Sequence, residues 1–212
     1  MEPEEIKRLI NLCTYEDDLA MSGYEKIAGV DEVGRGSLAG PMVAAAVIMD
    51  KRKLKIENID DSKKLSEKNR NLIFKKIMKS CICWSVARIS PLEIDEGSLS
   101  QANVNAFIKA VEGLKVKPDI VLSDHINLRF DIRDLDLRFT PIINGDRSSV
   151  SIAAASIVAK VIRDRIMLKL SRYYPEYGFD TNKGYGTRKH LLSLQKFGPS
   201  RVHRISFKGV LN

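Results

Sequence analysis

The chain has 212 residues, 44% of them hydrophobic and 29% charged, and a formal net charge of +8. That length fits one large domain with enough buried surface to fold without disulfide or metal staples. The composition excludes a disordered, collagenous or fibrous chain. Three cysteines, Cys13, Cys81 and Cys83, are too few for a disulfide framework, and the apolar setting of Cys81-x-Cys83 predicts strand thiols rather than metal ligands. Apolar runs such as Met42–Met49 are too short to span a bilayer. Met1–Ile10 is not a basic segment followed by an apolar one. A soluble, reduced, cytoplasmic protein is expected.

The charge is uneven. Residues 1–22 carry a net −4 and the remainder +12, and Lys183–Asn212 holds seven bases and no acid. Such a tail suits a polyanion, a nucleic acid backbone above all, although a merely solvated basic surface has the same composition.

Taken in chain order, Pro3–Met21 places Ile6, Leu9, Ile10 and Cys13 at helical spacing behind an early proline. This predicts one amphipathic helix packed on the domain and ended by Ser22-Gly23. Ile27–Asp31 reads as a short buried strand, Gly34–Gly36 as a turn and Pro41–Met49 as the next strand. A polar loop follows over Asp60–Ser66, then a helix from Ser66 to about Lys79 and a strand over Cys81–Ile89. Leu99–Leu114 is helical, Ile120–Asp124 a strand, Asn127–Leu137 an excursion without clear period, and Phe139–Ile143 strand-like. Val150–Tyr173 is the longest periodic segment, and its Ala153-Ala154-Ala155 run would let a helix approach a sheet closely. Pro175–Gly186 is a loop and Thr187–Lys196 a short basic helix. Alternating strands and helices around one sheet make the fold α/β.

The acids stand at the strand ends. Asp31 and Glu32 follow Ile27–Val30, Asp124 closes Ile120–Leu122, and Asp146 follows Phe139–Ile143 across Asn144-Gly145. Ligand sites of α/β sheets gather beyond the carboxyl ends of strands. If the three strands are neighbours, four carboxylates converge, and such crowding requires cations. Oxygen-only donors favour Mg²⁺ or Mn²⁺, and two such ions ~4 Å apart are a common device for displacement at a phosphodiester. Acids also end strands as simple turn formers. Gly34-x-Gly36-x-x-Ala39 fits a dinucleotide fingerprint. It leads into Gly40-Pro41 and a strand rather than a helix, and Asp31 and Glu32 would repel a pyrophosphate.

The stretch Ile27-Ala-Gly-Val-Asp-Glu-Val-Gly-Arg-Gly-Ser-Leu-Ala-Gly-Pro41 resembles the opening motif of type 2 ribonuclease H, ribonuclease HII. The resemblance continues in Asp61-Ser-Lys-Lys-Leu-Ser66, in Ser151–Lys160 with Arg163-Asp164, and in Gly178-Phe179. It runs on through Lys183-Gly-Tyr-Gly-Thr187 and His203-Arg204-Ile-Ser-Phe207. The order is the family's from about residue 24 to 207, and the helix leading into Gly23-Tyr24 looks like the bacterial branch. The resemblance implies a ribonuclease H-like fold, with a mixed central sheet flanked by helices and a helical carboxyl-terminal region, all in one catalytic domain over 1–212. It implies Mg²⁺- or Mn²⁺-dependent endonucleolytic cleavage, with two ions, of RNA in RNA–DNA hybrids, including single ribonucleotides within duplex DNA. Asp31, Glu32, Asp124 and Asp146 fall on the family's acidic, metal-binding positions. Gly34, Arg35 and Gly36 fall on the loop that contacts the ribonucleotide, and Tyr185 on the tyrosine beside the scissile junction. After Asp124 the family usually has Gly-Asn, where this chain has His125-Ile126.

Lys63 and Lys64 are placed to hold a phosphate or orient an acid, or to form a solvated turn. Lys160 and Arg163 share a helix face and either meet nucleic acid or pair with Asp164 and other acids. His125, His190 and His203 lack metal-ligand spacing and read as surface or packing residues. A monomer acting on hybrid and ribonucleotide-containing duplexes, without membrane contact, is expected. The alternatives are a non-cleaving hybrid binder of the same fold and a ribonuclease HIII. The latter family usually carries an added amino-terminal domain, which 26 residues before Ile27 do not supply.

Overall fold

The computed structural model describes residues 2–53, 56–59, 62, 65–124 and 138–211. Five strands form one mixed sheet: β1 (Ile27–Val33), β2 (Met42–Met49), β3 (Cys81–Ile89), β4 (Ile120–Asp124) and β5 (Phe139–Ile142), in the order β3-β2-β1-β4-β5. β2 runs antiparallel to both β1 and β3, while β4 and β5 run parallel to β1. All eight residues of β2 are buried, and Ala44, Ala45 and Ala46 leave room for helices on both faces.

On one face lie α1 (Pro3–Leu12), α3 (Glu67–Ser80) and α7 (Val150–Tyr173); α5 (Leu99–Glu112) covers the other. Hydroxyl caps start these helices where the sequence places them. Ser66, Ser98 and Ser149 accept from the backbone N–H of Asn69, Gln101 and Ile152. Ala153, Ala154 and Ala155 of α7 are fully buried in the core shared with β2, and the first turn of α7 lies close on β1. A Cβ on Gly29 of β1 would overlap the Ser151 backbone. A smaller third core joins Leu38 and Ala39 to Met167, Tyr177, Phe179 and Leu194, so the carboxyl-terminal region packs directly on the Gly34–Gly40 loop.

The amino-terminal segment departs from the expected single helix. It breaks at Cys13 into α1 and α2 (Thr14–Met21), and the buried side chains are Leu9, Leu12 and Cys13, with Ile6 and Ile10 exposed. The break turns Glu16 inward, where its carboxylate accepts from the Ser149 hydroxyl at 2.5 Å and the Ser151 N–H at 3.0 Å. A buried acid at the start of α7 outweighs helix continuity. Also unanticipated is α4 (Pro91–Glu96), opened by a capping box between Ser90 and Glu93. Short α6 (Gly145–Ser148) and α8 (Phe179–Asn182) lie inside expected loops, and α9 (Arg188–Phe197) begins behind Thr187 as its cap. The three cysteines are free: Cys13 and Cys83 are buried and Cys81 half-buried. The Asn127–Leu137 excursion lies outside the described residues. Among the described residues, no helix is long and apolar enough to cross a membrane.

Candidate active site

The sheet order makes β1, β4 and β5 adjacent and parallel, so their carboxyl ends share one edge. The register pairs Val30 with Ser123, which brings the next residues, Asp31 and Asp124, side by side. Asp124 is registered with Ile142, and its carboxylate accepts from the Gly145 N–H at 2.9 Å. That bond ties Asp124 to the residue before Asp146, which opens α6 and is buried. A side chain at 145 would press on the tip of Ile152, and it would touch the Asp124 Cα.

Asp31 is buried, and burial raises its pKa well above the usual carboxylate range, with Glu32 and then Asp124 adding repulsion. Two bonds oppose this, one from the Ser156 hydroxyl of α7 and one from the Glu32 N–H at 2.8 Å. Among the described residues, no group of three or more His, Cys, Asp or Glu side chains is arranged as a ready metal cage. The donor chemistry still fits a divalent cation. Hard oxygen donors of Asp31, Glu32 and Asp124 crowd one another where β1 and β4 lie side by side, and that repulsion is what a cation between them would relieve.

Around the acids, loops are fixed by buried arginines. Arg163 of α7 is fully buried and donates to Pro41 O, Ala39 O, Lys183 O and the Ser37 hydroxyl at 2.7–3.2 Å. It therefore neither pairs with Asp164 nor reaches a nucleic acid. Lys160 holds Asp164 instead, at 2.7 Å. Gly34 has φ +85° and lies against the Arg163 guanidinium, which a Cβ would overlap, whereas the space at Gly36 is open. Arg204, also fully buried, donates to Arg35 O at 2.7 Å and Gly40 O at 3.0 Å. Burial draws it down to about 9, so it stays charged at neutral pH. It is thus a loop anchor and not part of the basic surface that the tail suggested.

The Gly34–Gly40 loop and the loop bearing Tyr185 bond each other, with the N–H groups of Leu38 and Ala39 both donating to Gly184 O at 2.8 and 3.2 Å. The Tyr185 ring is partly exposed, and its centre lies 5.4 Å from the Arg163 guanidinium carbon. Lys63 and Lys64 lie outside the described residues. Their described neighbours are anchored: the Ser62 hydroxyl lies 2.9 Å from that of Ser156, and Arg70 donates to Ser62 O at 2.9 Å and Leu65 O at 2.8 Å.

This arrangement has known counterparts. The family model for ribonuclease HII matches residues 28–210. The chain belongs to the ribonuclease HII family. Ribonuclease HII of Caldicellulosiruptor bescii is 48% identical over 203 residues, covering 95% of this chain and 96% of its own. The crystal structure of the ribonuclease H2 from Pyrococcus horikoshii OT3 superposes with a TM-score of 0.74 at 27% identity, covering 88% of this chain and 95% of that one. Bst-RNase HIII in complex with Mn²⁺ shares the fold, with a TM-score of 0.64 at 19% identity over 87% of this chain and 68% of that one. The chain is an endonucleolytic hydrolase of the ribonuclease H type, acting on RNA–DNA.

Sequence reasoning did not find Arg204, Ser156, Arg70 or the His190–His203 pair as organisers of this site. Two signals were available. His203-Arg204 sits inside a matched motif, and Ser156 stands one turn and a half along α7 from Ser151. Neither shows which partner each side chain meets.

Proposed function

We propose that the enzyme cleaves on the 5′ side of single ribonucleotides embedded in duplex DNA, as well as within longer hybrids, with two Mg²⁺ or Mn²⁺ ions. The observation that carries this reading is the placement of two loops against each other beside the acidic edge. The loop that begins with Gly34-Arg35-Gly36, whose two glycines carry no side chain, is bonded through its Leu38 and Ala39 to Gly184, the neighbour of Tyr185.

In this reading Asp31, Glu32, Asp124 and Asp146 are the divalent cation ligands. A bound cation supplies charge for the phosphodiester and lowers the pKa of water. The protein's own contribution is orientation. With the Arg35 carbonyl held inward by Arg204, the trans peptide turns the Gly36 N–H the other way, toward solvent. An outward N–H beside an open surface can reach a ribose 2′-hydroxyl, the group that separates RNA from DNA. The Tyr185 ring can then lie on the neighbouring deoxyribose, where a second 2′-hydroxyl would crowd it. Lys63, next to the anchored Ser62, is assigned to a phosphate contact.

The test compares Tyr185→Ala with Tyr185→Phe on a duplex carrying one ribonucleotide. The Ala variant should lose far more activity than Phe, because the ring makes the contact. No loss in either variant removes Tyr185 from the site. A non-cleaving binder of this fold would show no metal-dependent product in the same assay.

A further inference from the structure

His190 and His203 are both almost completely buried, and their Nε2 atoms lie 3.0 Å apart. They sit among Tyr177 and Phe179, with ring centres 4.6–6.2 Å away. The contacts at the two ends of the pair determine where the protons are. The Ser200 backbone N–H can only donate, and it meets His203 Nδ1 at 3.0 Å; the Ser200 hydroxyl lies 2.9 Å from the same nitrogen. His203 Nδ1 is therefore the lone-pair nitrogen, and neutral His203 carries its proton on Nε2. That proton points at His190 Nε2, which must accept, so His190 carries its own proton on Nδ1. The Tyr185 carbonyl, which can only accept, lies 2.9 Å from His190 Nδ1. One arrangement of protons, with both rings neutral, satisfies every contact from Ser200 to Tyr185.

We propose that His190 is the positioning residue of Tyr185, held in its donating tautomer by His203. The inference rests on the reading of Tyr185 given above. Tyr185 stands between two glycines, and Gly184 takes a φ of +82° that side chains rarely adopt. The His190 donor, together with the Thr187 N–H at 2.8 Å, fixes the carbonyl of Tyr185 and with it the direction of the ring. Neutral rings suit the position. Burial lowers the pKa of both, His203 to about 4. A proton added to either ring would set two donors against each other.

Two measurements test this. The first is the ratio of single-turnover rates on a one-ribonucleotide duplex and on an all-RNA strand paired with DNA. His190→Leu, which removes the donor, should lower that ratio about fivefold, the worth of one neutral hydrogen bond. His190→Asn, whose amide nitrogen lies near the place of Nδ1, should recover most of it. In a Tyr185→Ala background His190→Leu should change the ratio no further, whereas loss of general packing would lower it again. An unchanged ratio in His190→Leu, or an equal fall in the Tyr185→Ala background, overturns the proposal. If Tyr185→Ala itself leaves the ratio unchanged, the reading of Tyr185 falls and the proposal with it. The second measurement needs no variant, and so stands even if His190→Leu does not fold. Ring ¹⁵N shifts at neutral pH should show His190 protonated on Nδ1 and His203 on Nε2, and the opposite tautomers would overturn the proposal.

Discussion

The guanidinium of Arg163 meets the ring of Tyr185 on one side, 5.4 Å from its centre, and the Ser37 hydroxyl on the other at 2.7 Å. One buried cation on α7 thereby sets the spacing between the glycine loop and the tyrosine loop. Its partners are carbonyls and a hydroxyl rather than a carboxylate, so its charge is spread over four oxygens of two loops.

Replacing Arg163 should therefore be costly in a particular way. Arg163→Met leaves four acceptors without a donor, and we expect a loss of roughly 3 kcal/mol or more in urea unfolding. Arg163→Lys should recover little, since three N–H groups on one atom cannot span both loops. A lysine variant of wild-type stability would contradict the two-loop account.

Asp31 carries an opposite expectation. Its pKa is raised by burial first and by Glu32 and Asp124 after that. An acid with a raised folded pKa contributes stability that is fully present below its unfolded pKa. That stability is lost as pH rises through the folded value, so at pH 7 the metal-free protein bears a cost. Asp31→Asn should abolish cleavage and yet melt a few degrees higher than wild type in the presence of a chelator at pH 7, a gain of about 1 kcal/mol. Adding Mg²⁺ or Mn²⁺ should raise the wild-type melting temperature more than the variant's. A variant that melts lower at pH 7 would show that the carboxylate is not strained.

Gly29 links the fold to the acids. A Cβ there would overlap the Ser151 backbone, and β1 carries Asp31 while α7 follows α6, which carries Asp146. Gly29→Ala should push the two elements apart, cost about 1–3 kcal/mol in thermal unfolding, and lower the cleavage rate by more than the unfolded fraction explains. Full specific activity of the folded fraction would mean that strand and helix separate without moving the acids.

The basic surface divides by exposure. Lys189, Lys196 and Arg201 are exposed, whereas Arg204 is buried on the loop. Neutralising the three exposed bases should weaken binding to any duplex and reduce the slope of log K against log salt by up to about 3, leaving the position of cleavage unchanged. Arg204→Gln should act differently, destabilising the fold and impairing discrimination with little effect on the salt slope. An unchanged slope in the triple variant would place the tail away from the nucleic acid.

Much of this protein was legible in the chain alone, for local reasons. Cys81–Ile89, Ile120–Asp124 and Val150–Tyr173 occur with the bounds read from their patterning, because a buried strand or a capped helix writes its period into adjacent residues. Asp31, Glu32 and Asp124 stood out because polar residues ended apolar runs. Helix α1–α2 was misread where a single long-range partner, the first turn of α7 at Ser149 and Ser151, drew Glu16 inward and broke the period at Cys13. Arg204 counts toward the basic tail and the two histidines read as surface or packing residues, since nothing nearby in sequence announces a carbonyl 169 positions away or a ring 13 positions away. Strand order was decided only in three dimensions. The pairing of β1 with β4 sets Asp31 beside Asp124, and close packing of α7 on Gly29 and the bond from the Gly145 N–H to Asp124 hold that edge. Local sequence selects the elements by their period and caps; which side chains meet depends on contacts far apart in the chain, and those exist only once the sheet and α7 are packed.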